Sequence, residues 1–290
     1  IMNHSYDIIC YHKNCPDGIG GLWAANHYKE IPVHYPLPVG ENPSLGDIEG
    51  KSIIFVDICS KDEYILSNIK KVKKLTILDH HKTSKEMLQD IIKKNYPNIE
   101  IIFDMNRSGA KISWDYFFPD TPSPFFINYI EDKDLWNWKL IYSQEINVAI
   151  ESYLELENED LSFQKLVKEG EILKEENDKK IESIGNTSTK EYFIHQKKVY
   201  HIRKVNSIKD RSLTSDVGNY LCVKYPDIDF AIITSRGLNY WSYSLRGMKG
   251  KCHNLSSIAK TYGGGGHHSS SGMRIYDNDE RLYFSPLTKN

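Results

Sequence analysis

The stretch Leu75–Ser84, LTILDHHKTS, decides how the first half of this chain is read. Leu75–Leu78 form a short apolar run of the length expected for a buried strand, and it stops on Asp79-His80-His81. The same pattern recurs upstream. Ser52–Val56 (SIIFV) is a strand ending in Asp57, and Tyr6–Tyr11 (YDIICY) is one followed by His12. Val33–Tyr35 and Glu100–Phe103 complete the set, with helical stretches at about Gly20–Tyr28, after a Pro-Asp-Gly turn, and about Lys61–Lys71. Strands alternating with helices predict a parallel sheet covered on both faces. In such sheets ligands bind in the crevice beyond the carboxyl ends of the strands. His12, Asp57 and Asp79-His80-His81 all stand at such ends, an arrangement that burial alone does not require.

Downstream the pattern changes. Ile146–Asn186 is charged, contains ESYLELENED (Glu151–Asp160) and turns helical, as a connector would. Beyond it, Lys190–Arg203 reads as a strand pair, Ser212–Val223 as a helix, and Phe230–Thr234 and Tyr240–Leu245 as antiparallel strands. The expected fold is therefore α/β: a parallel-sheet domain over 1–145, a helical connector over 146–189, and a smaller α/β domain with a mixed sheet over 190–290. A length of 290 residues suits two domains.

Composition narrows the function. Lys plus Arg is 37 and Asp plus Glu is 39, a net charge of 37 − 39 = −2, without the basic excess that gripping a long polyanion requires. A nucleic-acid substrate would be short or held locally. The five cysteines, Cys10, Cys15, Cys59, Cys222 and Cys252, form no C-x-x-C pair, which argues against a disulfide framework and a cysteine zinc site and favours a reducing, cytoplasmic setting. No apolar run approaches the ~20 residues that span a bilayer, and the N-terminal stretch lacks the layout of a signal peptide, so no membrane partner is expected.

His12, Asp17, Asp57, Asp79, His80, His81, Asp132 and Asp134 make a carboxylate–imidazole set without thiolates. Such a set suits divalent ions of intermediate hardness, manganese first, with iron or zinc as alternatives. A carboxylate between the strands carrying His12 and His80 would be placed to bridge two ions, and Asp57 is that candidate. Taken singly, each of these residues is as well explained as a hydrogen-bonded structural group or a helix cap; their coincidence on one sheet edge is what points to chemistry.

LTILDHHKTS resembles the motif that names the DHH phosphoesterase family. YHKNCPDGIGGLWAA (Tyr11–Ala25) is similar to that family's first motif, FVDICS (Phe55–Ser60) to its second and YIEDKDLW (Tyr129–Trp136) to its fourth. SLRG (Ser244–Gly247) and LSSIAKTYGGGGHHSSSG (Leu255–Gly272) resemble the DHH-associated C-terminal domain found in nano-RNases, RecJ-type exonucleases and cyclic dinucleotide phosphodiesterases. The resemblance implies one or two divalent ions, Mn²⁺ foremost. His12, Asp17 and Asp57 would hold one, and Asp57, His80 and the motif-four aspartate, taken as Asp132 with Asp134 as the alternative, the other. His81 would face the phosphate, and Asp79 would orient the histidines. The resemblance departs in the first motif, where Ile19 stands at the expected second carboxylate and one extra residue separates His12 from Asp17; the CPDG form occurs in a branch of the family.

For the tail, Gly265, Gly266 and His267 are expected to let a phosphate approach the backbone, with Arg246 binding a terminal phosphate. Arg107 and Ser108 precede the helical stretch Ala110–Phe117, where Ser108 is either a cap or part of a phosphate site. The expected activity is hydrolysis of phosphodiesters in short oligonucleotides or cyclic dinucleotides by metal-activated hydroxide, with one domain cutting and the other holding the neighbouring nucleotide. A phosphomonoesterase acting on nucleoside bisphosphates and a non-catalytic nucleotide sensor are the alternatives. The sequence leaves a homodimer open.

Overall fold

Side chains along the first strands alternate between two apolar layers, so the sheet they form is buried on both faces. Ile8, Cys10, Ile53, Phe55, Leu75 and Ile77 face one core, and Ile9, Ile54, Val56 and Leu78 the other. The computed structural model describes residues 4–153, 156, 159–251, 253–279 and 283–286. Cys252 and positions 154, 155, 157 and 158 of the ESYLELENED segment lie outside the described residues. The chain divides into two compact units, Ile1–Lys174 and Glu175–Asn290.

The first unit contains strands β1 (Ile8–His12), β2 (Val33–Leu37), β3 (Ser52–Val56), β4 (Lys74–Asp79) and β5 (Ile99–Phe103). They are all parallel, in the order β2-β1-β3-β4-β5. Helices α1 (Pro16–Tyr28), α2 (Asp62–Asn68), α3 (Lys82–Met87), α4 (Gln89–Lys94), α5 (Gly109–Phe117), α6 (Phe125–Asp134) and α7 (Ser143–Ser152) accompany them. Because β3 lies between β1 and β4, the carboxyl ends of the strands bearing His12, Asp57 and Asp79 are adjacent.

The Pro-Asp-Gly segment expected as a turn is instead the first turn of α1. Proline suits a first helical turn, where its missing N–H would have had no intrahelical partner. Gly18 follows because there is no room for a side chain: a Cβ there would stand 2.5 Å from His12 O and 2.9 Å from His12 Cβ. The start of α1 is thus pressed against the end of β1. Ile19, where the resemblance expected a second carboxylate, packs with the apolar cluster of Ala24, Ala110, Ile127 and Ile130.

Helix α8 (Phe163–Asn186) follows α7, and the division into units falls within it. The second unit holds β6 (Thr189–His195), β7 (Lys198–Val205), α9 (Thr214–Lys224), β8 (Phe230–Arg236), β9 (Tyr240–Arg246), α10 (Leu255–Lys260), β10 (Gly265–Gly266), β11 (Ser270–Tyr276) and β12 (Tyr283–Pro286). Its sheet runs β10-β11-β9-β8-β7-β6-β12, with β7–β8 parallel and the remaining pairs antiparallel, so it is mixed, as the sequence led one to expect. No helix among the described residues is long and apolar enough to cross a membrane.

Candidate metal centre

Four ionisable side chains, Asp17, Asp57, Asp79 and His80, are at most 1% exposed at the carboxyl edge of the first sheet. Burying that many charges is unfavourable unless they are paired or bound to an ion. Asp57 follows β3 in the left-handed conformation (φ 58°), a conformation of higher energy for a non-glycine residue that turns its side chain toward both neighbouring strands. His12 Nδ1 donates to Asp57 Oδ2 at 3.1 Å. His80 Nε2 stands 3.2 Å from Asp57 Oδ1, 3.5 Å from Asp134 Oδ2 and 3.6 Å from Asp17 Oδ2. Asp57 thus faces His12 through Oδ2 and His80 through Oδ1.

The electrostatics follow from this crowding. Burial pushes Asp17 well above the usual carboxylate range, and Asp57 and Asp134 add to it. Burial opposes charge on Asp57 as well, but the His12 hydrogen bond and the nearness of His80 hold it well below that range. On His80 burial is outweighed by Asp134 and Asp57, and on His12 by Cys15 and Asp57; both imidazoles are held well above their ordinary value. Protons are thus held where a cation would otherwise neutralise the carboxylates.

Asp17 and Asp79 carry further roles. Asp17 accepts from Gly109 N at 2.6 Å and Ala110 N at 2.8 Å, and so caps the start of α5 from a distant part of the chain. Asp79 Oδ1 accepts from the main-chain N–H of His80 (2.8 Å) and of His81 (3.2 Å) and from His81 Nδ1 (2.7 Å). That last bond fixes the proton on Nδ1 and reserves Nε2 of His81 for chemistry. His81 is a quarter exposed, the more open member of the tripeptide.

Asp132 and Asp134 separate clearly. The Asp132 carboxylate is buried against the loop that follows α6, where it accepts from Lys139 N (3.0 Å), Leu140 N (3.1 Å) and Ser143 Oγ (2.7 Å). The carboxylate beside His80 is that of Asp134. Ser108 caps α5 by accepting from Lys111 N at 3.2 Å, and the α5 amides of Gly109 and Ala110 are already given to Asp17. Arg107 is paired with Asp104 at 2.8 Å and Asp115 at 2.9 Å.

In the second unit, Arg246 donates to Leu245 O (2.9 Å), Ser271 O (3.3 Å) and Ser215 Oγ (3.2 Å), and burial brings its guanidinium down to about 10. The glycine tract is tightly held. Gly265 and Gly266 pair with Gly272 and Ser271, and His267 N donates to Ser270 O at 2.7 Å. A Cβ on Gly266, whose φ is 134°, would stand 2.6 Å from Ser270 O. Strand pairing by itself therefore requires glycine there.

Three groups of the first unit bring metal-ligating atoms within 4.8 Å of one another: His12, Cys15 and Asp57; Asp17, His80 and Asp134; and Asp57, Asp79 and His81. The donor set fits a divalent cation, because buried carboxylates and imidazoles converge in it and Asp57 belongs to two of the three groups. Cys15 is the residue that sequence reasoning passed over. The signal was its place three residues after His12, hidden by the wide scatter of the other four cysteines.

No family model matches the chain. Among curated relatives, the uncharacterized protein R106 of Acanthamoeba polyphaga mimivirus is 29% identical over 296 residues, covering 92% of this chain and 67% of that protein. Oligoribonuclease NrnB of Bacillus subtilis (strain 168) is 24% identical over 226 residues, covering 72% of this chain and 55% of that protein. The chain thus spans between half and two thirds of the length of these relatives. Exonuclease RecJ bound to manganese matches with a TM-score of 0.50 at 11% identity, over 92% of this chain and 85% of that one.

The chain shares its fold with RecJ. On it the segments quoted from the sequence fall in order: Tyr11–Ala25 on the β1–α1 junction, Phe55–Ser60 at the end of β3, Asp79-His80-His81 at the end of β4 and Tyr129–Trp136 on α6. This fold places at adjacent strand ends what the sequence holds in segments tens of residues apart.

Proposed function

We propose that this chain is a divalent-metal-dependent phosphodiesterase acting on short oligonucleotides or dinucleotides. The observation that carries the reading is Asp57, buried between His12 and His80, with Asp17 and Asp134 completing the ring. His12, Asp57, Asp17, His80 and Asp134 would hold one or two ions, Mn²⁺ being the expected occupant. A bound ion supplies positive charge to the phosphoryl oxygens and acidifies water.

The chain's own residues do the rest. Asp79 holds His81 in one tautomer, so that its Nε2 can donate to a phosphoryl oxygen or share a proton with it. Asp17 ties α5 to the site, and burial of the four ionisable groups excludes water from the carboxylates. In the second unit, Arg246 and the Gly265–His267 segment are the proposed substrate-binding groups, within a functional division at 1–145, 146–189 and 190–290. NrnB is named an oligoribonuclease and RecJ an exonuclease, which supports a nucleic-acid substrate, and the net charge of −2 favours a short one.

The test is incubation of the full chain with Mn²⁺ and a dinucleotide. Mononucleotides should be released, and His81→Ala should abolish release while the far-ultraviolet circular dichroism stays unchanged. Binding of nucleotides without cleavage of dinucleotide or nucleoside bisphosphate, whatever the divalent ion, would replace this reading with that of a sensor.

A further inference from the structure

We propose that Cys15 is a thiolate ligand at the metal position formed with His12 and Asp57, which makes that position selective for a thiophilic divalent ion such as Zn²⁺. The inference rests on the metal-dependent reading above and deepens it. Four observations converge. First, the ligating atoms of His12, Cys15 and Asp57 lie within 4.8 Å of one another. Second, Asp57 is 1% exposed, and its two oxygens divide between neighbours: Oδ2 meets His12 Nδ1 at 3.1 Å on the side of this cluster, and Oδ1 lies 3.2 Å from His80 Nε2. Third, Cys15 occupies the N-cap of α1, yet its side chain caps nothing, and cysteine is not among the residues that favour this position.

Fourth, the backbone is shaped to bring the sulfur there. Asn14 adopts the left-handed conformation (φ 56°), and Gly18 lets the first turn of α1 press onto His12. Of the donor atoms grouped at this edge, the sulfur is the only soft one; the group of Asp17, His80 and Asp134 offers carboxylate oxygen and imidazole nitrogen. Thiolate selects zinc and similar ions over manganese, whereas oxygen-rich sets accept manganese.

The full chain is loaded with one equivalent of Zn²⁺ and examined by X-ray absorption. A sulfur scatterer at ~2.3 Å is expected. Cys15→Ser should remove it, and Cys59→Ser should leave it in place. Cys15→Asp keeps an anionic side chain and should weaken Zn²⁺ relative to Mn²⁺ by about 100-fold, the upper end of losses seen even for groups one shell further out. No sulfur scatterer in the wild-type protein, one that persists in Cys15→Ser, or an unchanged Zn²⁺/Mn²⁺ ratio in Cys15→Asp would each overturn the assignment. A sulfur scatterer in a protein that cleaves no phosphodiester would sustain the ligand assignment while removing the phosphodiesterase reading.

Discussion

Gly109→Ala is the substitution whose effect can be worked out most fully from the geometry. A Cβ at this position would stand 2.5 Å from Asp57 Cβ, 2.9 Å from Asp57 Cα and 3.0 Å from Asp17 Oδ2. Carbon atoms in contact settle ~3.5–4.0 Å apart, so relief requires about 1 Å of movement. None of the three neighbours yields cheaply: Asp57 is held by its N–H to Leu78 O at 2.9 Å, and Asp17 by the Gly109 and Ala110 amides. Forcing a methyl into such a site costs about 1–3 kcal/mol of stability. Because Asp57 is the proposed bridge between two ligand groups, displacement by about 1 Å should lower kcat/KM by ~100-fold. The assay is dinucleotide cleavage with Mn²⁺ beside thermal melting, with Gly46→Ala as control, since a Cβ on Gly46 meets nothing within 4 Å. Gly109→Ala with the activity and melting point of the control would refute the claim that α5 and Asp57 are rigidly packed.

Two further predictions concern groups the structure separates. Asp132→Ala should cost about 2–3 kcal/mol by leaving buried donors unsatisfied, with metal affinity retained, whereas Asp134→Asn should weaken metal binding and leave the melting point of the metal-free protein nearly unchanged. Isothermal titration with Mn²⁺ beside thermal melts decides this, and the reverse pattern would restore Asp132 as the ligand. His195 is buried and its Nδ1 pairs with Tyr262 Oη at 3.0 Å; burial holds its imidazole below the ordinary value. The unfolded chain therefore binds that proton more tightly, and the stability contribution is full above ~6.5 and is lost as the pH falls through the folded value. His195→Gln should narrow the gap in urea midpoint between about pH 5 and about pH 7.5; an unaltered gap would assign the acid sensitivity elsewhere.

Local pattern was enough for much of the architecture. Apolar runs such as SIIFV and LTIL, short and rich in β-branched residues, read as buried strands, their alternation with helical stretches predicts a parallel sheet, and its carboxyl edge is where polar residues gather. That is why His12, Asp57 and Asp79-His80-His81 are legible as one set in the sequence. What sequence could not supply was the direction of side chains around a turn or a helix. Asp132 and Asp134 sit two residues apart on α6, about 200° around its axis, so only one can face His80, and the sequence holds no sign of which. The glycine tract expected to admit a phosphate also pairs β10 with β11, a contact invisible in one dimension. Cys15 likewise became a candidate ligand only through a left-handed Asn14 and the absence of a side chain on Gly18. The sequence by itself determined which elements form and in what order; the tertiary structure alone decided which donor atoms share a space, because that depends on backbone turns of a few residues whose energies are settled by packing from elsewhere in the chain.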